Sequence, residues 1–364
     1  MRPLRIGIIA PPWFAVPPTG YGGIEWVVSY LADGLTALGH DVTLFASGGS
    51  HTTARLVSTY AEPPSALLGD PIIEARHLVE AYRYCRGFDV IHDHTGIGLI
   101  AGAAIATPVV HTVHGEVLPR VADFYQSAAA EVHFISISEH QRSTLPPGLD
   151  VTVIHNGIDT ALFPYGEGEG GYLLFVGRMS AQKGIVDAVE IARRTDMPLL
   201  VLAKVNEAPE WEYFQEVVRP RLAGVEVDFR EQISHAEKAE AYRHAAATLF
   251  PIHWPEPFGL VMVESMSAGT PVIAFRDGAV PEVIADGVTG FIRTDVEGAV
   301  EAVGRLAEID RKACRSHVQG RFSAEANVRA HEALYLRVSG HAAPAQAVVR
   351  APTANLPPLE RTVA

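Results

Sequence analysis

Short apolar runs alternate with helical patterns along almost the whole chain. The runs are continuously apolar, which is typical of parallel strands that are buried on both faces of a sheet. An apolar stripe from Ile24 to Leu38 predicts a helix after the first run, ending at Gly39, a common C-terminal cap residue. The predicted strands are Leu4–Ala10, Asp41–Ser47, Asp89–His94, Pro108–His114, Val132–Ser138, Val151–Asn156, Tyr172–Arg178, Pro198–Lys204, Val225–Glu231, Ala247–Ile252, Pro271–Phe275 and Gly290–Thr294.

Two domains are expected. The glycine-rich segment Phe163–Gly171 divides two halves that share the same strand–helix rhythm. We therefore predict an α/β protein in which two Rossmann-like, doubly wound parallel-sheet domains, residues 1–165 and 166–320, face each other across a cleft. Residues 321–338 are predicted as a C-terminal helix, and residues 339–364, rich in Ala and Pro, as a disordered tail.

Composition narrows the choice of partners. The 364 residues are 48% hydrophobic, enough for two cores, and the formal charge of −13 argues against nucleic acid as a partner. Two distant cysteines suit a reducing compartment, and no apolar stretch reaches the length of a membrane span, so we expect a cytoplasmic protein. Arg76, Arg83 and Arg86 would share one helix, which leaves peripheral contact with an anionic membrane as an alternative to a solvated face.

The stretch Glu256-Pro-Phe-Gly-Leu-Val-Met-Val-Glu264 joins a predicted strand to a predicted helix. Its proline and glycine keep Glu256 in the loop, whereas Glu264 falls in the first turns of the helix. The backbone N–H groups of Phe258, Gly259 and Leu260 would lack helical partners and could bind an anion, while the carboxylates could accept hydrogen bonds from hydroxyls. The alternative is that the acidic residues only complement the positive end of the helix.

Two cations follow the first predicted strand of the second half, in Gly177-Arg178-Met-Ser-Ala-Gln-Lys183-Gly184. Arg178 offers a planar fork for two phosphate oxygens, and Lys183 offers a compact charge. Together they could balance the charge that grows on a departing diphosphate. The alternative is that both side chains are solvated on a loop.

A glycine turn, Gly20-Tyr-Gly-Gly23, lies between the first predicted strand and its helix. Glycines at such a helix start let the backbone approach a phosphate, although a plain tight turn would look the same. The turn lacks the G-x-G-x-x-G fingerprint of dinucleotide-binding proteins, so a nicotinamide enzyme is disfavoured.

Histidines end two neighbouring strands: His92 and His94 the third, His111 and His114 the fourth. We do not interpret them as a zinc site, because no third ligand has suitable spacing. The chain also lacks an Asp-x-Asp motif that could hold a metal-bound diphosphate. We expect no metal and no cofactor, His114 as the functional histidine, and the other three as core or rim residues.

These motifs together resemble the retaining glycosyltransferases of family four, which have the GT-B fold. The resemblance spans about residues 4–338. The matching segments are Gly22-Gly23-Ile-Glu25, Gly39-His40-Asp-Val42, His114-Gly115, Asn156-Gly-Ile-Asp159, Val176-Gly-Arg178 with Lys183-Gly184, the Glu256–Glu264 motif, Ala268-Gly-Thr-Pro-Val-Ile273, and Pro281-Glu282 with Gly290.

The resemblance implies a role for each candidate residue. Arg178 and Lys183 would bind the donor diphosphate, and Glu264 the nucleotide ribose. The transferred sugar would be held by Glu256 and the amides of Phe258, Gly259 and Leu260, and contacted by His114 near its reacting centre.

The resemblance also implies how the two halves share the donor. Gly22 and Gly23 would lie against the phosphate from the opposite domain, and backbone near Ile233 would meet the base. The last helix would cross back to the N-terminal domain.

Two residues depart from the family pattern: Trp26 stands where a basic residue is common, and His155 replaces a usual proline. The stretches 48–70 and 115–127, on the acceptor side, carry no recognisable signature.

The sequence therefore predicts a metal-independent, retaining enzyme that moves a hexose from a UDP- or GDP-sugar to the hydroxyl of an unidentified acceptor. Two alternatives are a nucleotide-sugar epimerase of the same fold, which would convert the donor alone, and a non-catalytic two-lobed sugar-binding protein.

Overall fold

A computed structural model describes residues 2–20, 22–102, 104–205, 207–231 and 233–341. The predicted tail from residue 342 onward and Tyr21 of the glycine turn lie outside the described residues.

The first half of the described chain forms a seven-stranded parallel sheet. Its strands are β1 (Arg5–Ile9), β2 (Asp41–Ser47), β3 (Arg55–Tyr60), β4 (Val90–Asp93), β5 (Val109–Val113), β6 (Val132–Ser136) and β7 (Val151–Val153). The spatial order is β3-β2-β1-β4-β5-β6-β7. The helices are α1 (Gly23–Ala37), α2 (Pro71–Arg83), α3 (Leu99–Gly102), α4 (Pro119–Ser127) and α5 (Glu139–Thr144).

The second half forms a six-stranded parallel sheet in the order β10-β9-β8-β11-β12-β13. Its strands are β8 (Leu173–Arg178), β9 (Leu199–Lys204), β10 (Val227–Glu231), β11 (Ala247–Phe250), β12 (Val272–Phe275) and β13 (Gly290–Arg293). The helices are α6 (Ile185–Thr195), α7 (Ala208–Tyr213), α8 (His235–His244), α9 (Leu260–Ser267), α10 (Val280–Val283), α11 (Val296–Val303), α12 (Arg311–Arg321) and α13 (Ala324–Val338).

Every predicted strand contains an observed strand, and the α/β fold class is confirmed. The sequence pattern missed β3, whose residues lie at the edge of the sheet and are exposed or half-buried, so that no continuous apolar run marks it. Several predicted strands extended too far at their carboxyl ends, as at His114 and Asn156, because residues there turn away from the sheet. The domain limits at residues 165 and 320 stay a prediction.

Helix α13 follows the second sheet in the chain but packs onto the first. Its residues Val328, Leu334 and Tyr335 belong to the same buried cluster as strand β1. Helix α1 approaches it closely at Gly34, where a Cβ atom would lie 2.5 Å from Cγ2 of Val328. The contact ties the chain's last described helix to its first.

Each sheet has a point where the strand order reverses, between β1 and β4 and between β8 and β11. Loops that leave the two central strands diverge at such a point and open a crevice for ligands. No helix in the described part of the chain is both long and apolar enough to cross a membrane.

Candidate active site

The loop between β11 and α9 carries Glu256 and ends in a row of amides without hydrogen-bond partners among the described residues. Gly259 is the N-cap of α9 with a φ of 86°, a conformation that favours glycine. The N–H groups of Phe258, Gly259 and Leu260 donate no hydrogen bond to another described residue. The N–H of Ala279 donates to the Glu256 carbonyl at 2.9 Å and anchors the loop. The predicted anion-binding geometry is therefore preformed.

Glu256 is buried and held by two donors on a single oxygen. Its Oε2 atom accepts from Lys183 Nζ at 2.5 Å and from Trp254 Nε1 at 2.9 Å. The Lys183 ammonium also lies 4.6 Å from the centre of the Trp254 ring, a cation–π contact. Oε1 of Glu256 has no partner among the described residues, so it can accept from a ligand hydroxyl.

Glu264, the fifth residue of α9, has both oxygens occupied. Oε1 accepts from Lys238 Nζ at 2.8 Å, and Oε2 accepts from the Tyr242 hydroxyl at 2.9 Å. Lys238 and Tyr242 lie one turn apart on α8, so they present both donors from one face. Each carboxylate oxygen retains a lone pair that could accept from a ligand.

Arg178 ends β8 and is half-buried. Within the described residues its guanidinium makes no hydrogen bond or ion pair, so its five donors are available. The 3₁₀ turn Ala181–Lys183 and Gly184 lead from this strand into α6. Gly184 has a φ of 75°, and a Cβ atom there would lie 1.7 Å from the carbonyl oxygen of Pro251, so this close approach requires glycine.

The glycine turn of the first half forms the opposite wall. Gly22 has a φ of 151°, and Gly23 begins α1. A Cβ atom at Gly23 would lie 3.0 Å from Cδ1 of Leu260, so this turn is in contact with the Leu260 side chain of the second half across the cleft. Glu25 follows in the first turn of α1 and is 4% exposed, and burial raises its pKa to about 7.

A histidine cluster lines the carboxyl ends of β4 and β5. His114 Nε2 and His94 Nδ1 are 2.9 Å apart and share a hydrogen bond. His92 bridges the Tyr335 hydroxyl and Thr112. Burial lowers the pKa of His114 to about 3 and holds the pKa of His94 well below its ordinary value, so both rings are neutral near pH 7.

His111 occupies the core behind this cluster. It is 1% exposed, and burial lowers its pKa to about 4. Its ring meets Phe134 edge-on with the ring centroids 5.9 Å apart. Among the described residues, no group of three or more His, Cys, Asp or Glu side chains is arranged to hold a metal ion.

The two halves are joined at the cleft by Glu282 of α10. Its carboxylate accepts from the backbone N–H groups of Glu139 and His140, the first two residues of α5, at 2.8 and 2.6 Å. It also lies 3.1 Å from Nε2 of His155. Farther along the cleft, the Trp26 ring lies 4.6 Å from the His235 ring, so α1 touches the start of α8.

The structure brings most predicted site residues together. Lys183 and Glu256 are in contact, the amide row of 258–260 follows in the same loop, and Gly23 faces this row. Ile233 lies two residues beyond β10, in the loop before α8. No contact in the described residues joins His114 directly to Glu256, Arg178 or Lys183.

Sequence reasoning missed the partners of the two carboxylates. Trp254 precedes Glu256 by two residues, and an aromatic N–H in a loop beside a carboxylate was the available signal. Lys238 and Tyr242 showed helical i, i+4 spacing but gave no sign of their target. Glu282 was noted as a family match, but nothing local indicated that it binds the other half.

Two family profiles match consecutive parts of the chain. "Glycosyltransferase Family 4" matches residues 21–162, and "Glycosyl transferases group 1" matches residues 161–318. The chain belongs to glycosyltransferase family four. The predicted GT-B fold is likewise confirmed.

The relatives of this family-four chain have several activities. Glycogen synthase of Mycobacterium tuberculosis is 28% identical, over 79% of this chain and 83% of the relative. Phosphatidyl-myo-inositol mannosyltransferase of Mycolicibacterium smegmatis is also 28% identical, over 90% and 89%.

Solved structures share the whole fold. A glycosyltransferase involved in avilamycin A biosynthesis superposes with a TM-score of 0.71 at 25% identity, over 93% of this chain and 99% of that one. HepE of Anabaena, solved with UDP and glucose, has a TM-score of 0.71 at 18% identity, over 91% and 99%. At 18% identity, the similarity to HepE supports a shared fold and nothing further.

Proposed function

We propose that this glycosyltransferase moves a hexose from a UDP- or GDP-sugar to an acceptor hydroxyl with retention of the anomeric configuration and without a metal ion. The observation that carries the proposal is that Gly23 contacts the Leu260 side chain across the cleft, next to the unpaired amides of 258–260 and the Lys183–Glu256 pair, with Arg178 at the end of the neighbouring strand β8. A diphosphate placed there would meet backbone donors from both halves and two side-chain cations.

The cations would stabilise the departing nucleotide diphosphate. Arg178 is uncommitted within the described residues, and its fork matches two phosphate oxygens. Lys183 shares its charge with Glu256, so it would donate to phosphate with its remaining protons while still orienting that carboxylate. Removing either cation is expected to cost roughly 10²–10³-fold in rate, the scale of other lost electrostatic stabilisers.

The two carboxylates would divide the donor between them. Oε1 of Glu256 would accept from a hydroxyl of the transferred hexose, and Glu264 would accept from the ribose diol. Neutral His114 would contact the hexose from the opposite half once the lobes close, and its bond to His94 would hold the ring.

The reaction would proceed on one face of the sugar. The bond from the anomeric carbon to the acceptor oxygen would form on the side where the bond to the diphosphate oxygen breaks. A phosphate oxygen would take the acceptor's proton, so no protein base is required. The net result is a retained glycoside and the free nucleotide diphosphate.

The cellular location is proposed on different grounds. Cys85 and Cys314 are buried free thiols in the cores of separate halves. This pattern suits a reducing compartment, so we place the enzyme in the cytoplasm.

A thermal-shift panel of UDP-, GDP- and ADP-sugars tests donor binding, because a ligand that binds the native state raises the melting temperature. We expect a UDP- or GDP-sugar to give the largest shift and Arg178→Gln to reduce it, whereas Arg83→Gln on exposed α2 should not.

Product analysis tests the chemistry. The anomeric proton in the NMR spectrum of the product should show the donor's configuration, and EDTA should leave the rate unchanged. An inverted product, an isomerised donor formed without acceptor, or a rate abolished by EDTA and restored by Mg²⁺ would each contradict the proposal.

A further inference from the structure

A cavity lies between the two halves, beside the loops that carry His114 and Glu256. Glu116, His140 and Thr144 line it from the first half, and Pro255 and Pro257 from the second. Glu116 is two residues beyond His114, and the two prolines flank Glu256. The cavity is therefore bounded by the chain neighbours of both residues proposed to contact the transferred sugar.

The polar groups of this cavity include one that the protein leaves unpaired. Nε2 of His140 is shielded from solvent and has no hydrogen-bond partner among the described residues. A buried polar atom without a partner costs free energy, so a bound molecule that supplies the missing hydrogen bond would be favoured. The backbone N–H of His140 donates to Glu282, which fixes the start of α5 at this position.

The charge of the lining indicates the class of ligand. Glu116 contributes a carboxylate, and none of the described residues that line the cavity is Lys or Arg. A phosphate or carboxylate here would meet a like charge with no cation to balance it. Hydroxyl groups, by contrast, can donate to Glu116 and pair with His140 Nε2 in either direction.

We propose that this cavity is the acceptor subsite and that it selects an uncharged sugar ring, with His140 and Glu116 as the residues that bind its hydroxyls. The inference rests on the proposed function. It deepens that function by assigning the acceptor a chemical class and a place, between His114 and the prolines that flank Glu256.

Two probes that differ in charge test the class of acceptor: neutral methyl α-D-glucopyranoside and anionic glucose 6-phosphate. With the donor that gives the largest thermal shift, we expect the neutral glucoside to speed nucleotide diphosphate release about tenfold more than the phosphorylated sugar. Glu116→Gln should reduce this preference about fivefold, since it removes the repulsive charge. Glu131→Gln, an exposed carboxylate elsewhere in the same half, should leave the preference unchanged.

The position of the subsite is tested separately. His140→Ala should raise the KM for the glucoside about tenfold, the value of one lost hydrogen bond, and leave the donor KM unchanged. A changed donor KM with an unchanged acceptor KM would assign the cavity to the donor and overturn the proposal. Equal or greater stimulation by the phosphorylated sugar would also overturn the proposal, as would no stimulation by either probe. In both cases, donor binding in the thermal-shift panel would still support the proposed function.

Discussion

At the scale of single residues, both carboxylates of the candidate site are already paired with a lysine before a ligand enters. Glu256 is paired with Lys183, and Glu264 with Lys238. Such pairs hold a carboxylate in one orientation, which reduces the entropy that a ligand must remove on binding. The two pairs differ in the hydrogen-bonding capacity that they leave for a ligand. Glu256 keeps one oxygen atom without a partner among the described residues, whereas each oxygen of Glu264 keeps one free lone pair.

Because the two carboxylates have different surroundings, we expect their substitution to affect nucleotide binding and turnover differently. Glu264→Gln should weaken binding of the free nucleotide diphosphate and of the whole donor alike, by about 1–3 kcal/mol, because the ribose loses an acceptor. Glu256→Gln should spare the free nucleotide and reduce turnover. Calorimetry with the free nucleotide separates the two, and equal weakening by both variants would refute the division of roles.

His114 is predicted to act on the transition state. His114→Ala should lower kcat and kcat/KM together while the donor dissociation constant stays near its original value. His111→Ala is the matched control, since this histidine lies in the core: it should lower the melting temperature and change the kinetics little. A normal kcat in His114→Ala would remove the residue from the mechanism.

Glu25 predicts a pH dependence of stability. Its pKa is about 7 in the folded state and 4.5 ordinarily, so between these values the folded state binds the proton and the unfolded state does not. Stability therefore falls as pH rises from 4.5 to 7, by about 3 kcal/mol in total. Glu25→Gln should remove this contribution, so its stability relative to the unsubstituted protein should rise between pH 5 and pH 8 in urea titrations. A difference that is constant with pH would contradict the assignment.

At the scale of elements, the junction from β8 into α6 is the tightest part of the site. Lys183 lies in a short 3₁₀ turn of this junction. The next residue, Gly184, packs directly against Pro251 in the loop that follows β11. The neighbouring strands β8 and β11 pair directly, so their loops emerge side by side. This arrangement explains how Lys183 reaches Glu256, 73 residues away in the chain.

Gly184→Ala tests this junction. The added Cβ atom would meet the Pro251 carbonyl at 1.7 Å in a backbone with φ of 75°. Gly49→Ala is the matched control, because its φ is 78° and nothing lies within 4 Å. We expect a loss of about 1 kcal/mol in the control and roughly 3 kcal/mol or more at Gly184, from urea unfolding. Equal losses would show that the junction relaxes freely.

At the scale of the whole molecule, two of the links between the halves differ in character. One is α13, which packs on α1, and the other is Glu282 with the start of α5. The α13 contact is apolar and extensive, whereas the Glu282 contact is a small set of hydrogen bonds. We therefore expect the Glu282 contact, rather than the α13 contact, to break if the halves move apart during turnover.

Glu282→Ala is predicted to favour the open arrangement. Loss of its three hydrogen bonds should increase the radius of gyration in solution scattering and raise the donor KM about threefold to tenfold, because fewer molecules would be closed. Glu297→Ala is the control, since that carboxylate bonds Arg194 within the second half. An unchanged scattering profile together with an unchanged KM would show that Glu282 does not hold the halves together.

The sequence by itself determined the strands of the described chain except the edge strand β3, the two-sheet α/β fold and the family, because buried parallel strands and glycine turns leave local patterns. It also located the loops that carry Glu256, Lys183 and His114. Tertiary structure alone decided their partners: Trp254 and Lys183 on Glu256, Lys238 on Glu264, and His94 on His114. Apart from Trp254, these partners are 20 to 73 residues apart in the chain, and they meet because the strand order places their loops together. The link from Glu282 to α5 spans 142 and 143 residues and depends on how the two halves face each other, which no local pattern of polar and apolar residues records.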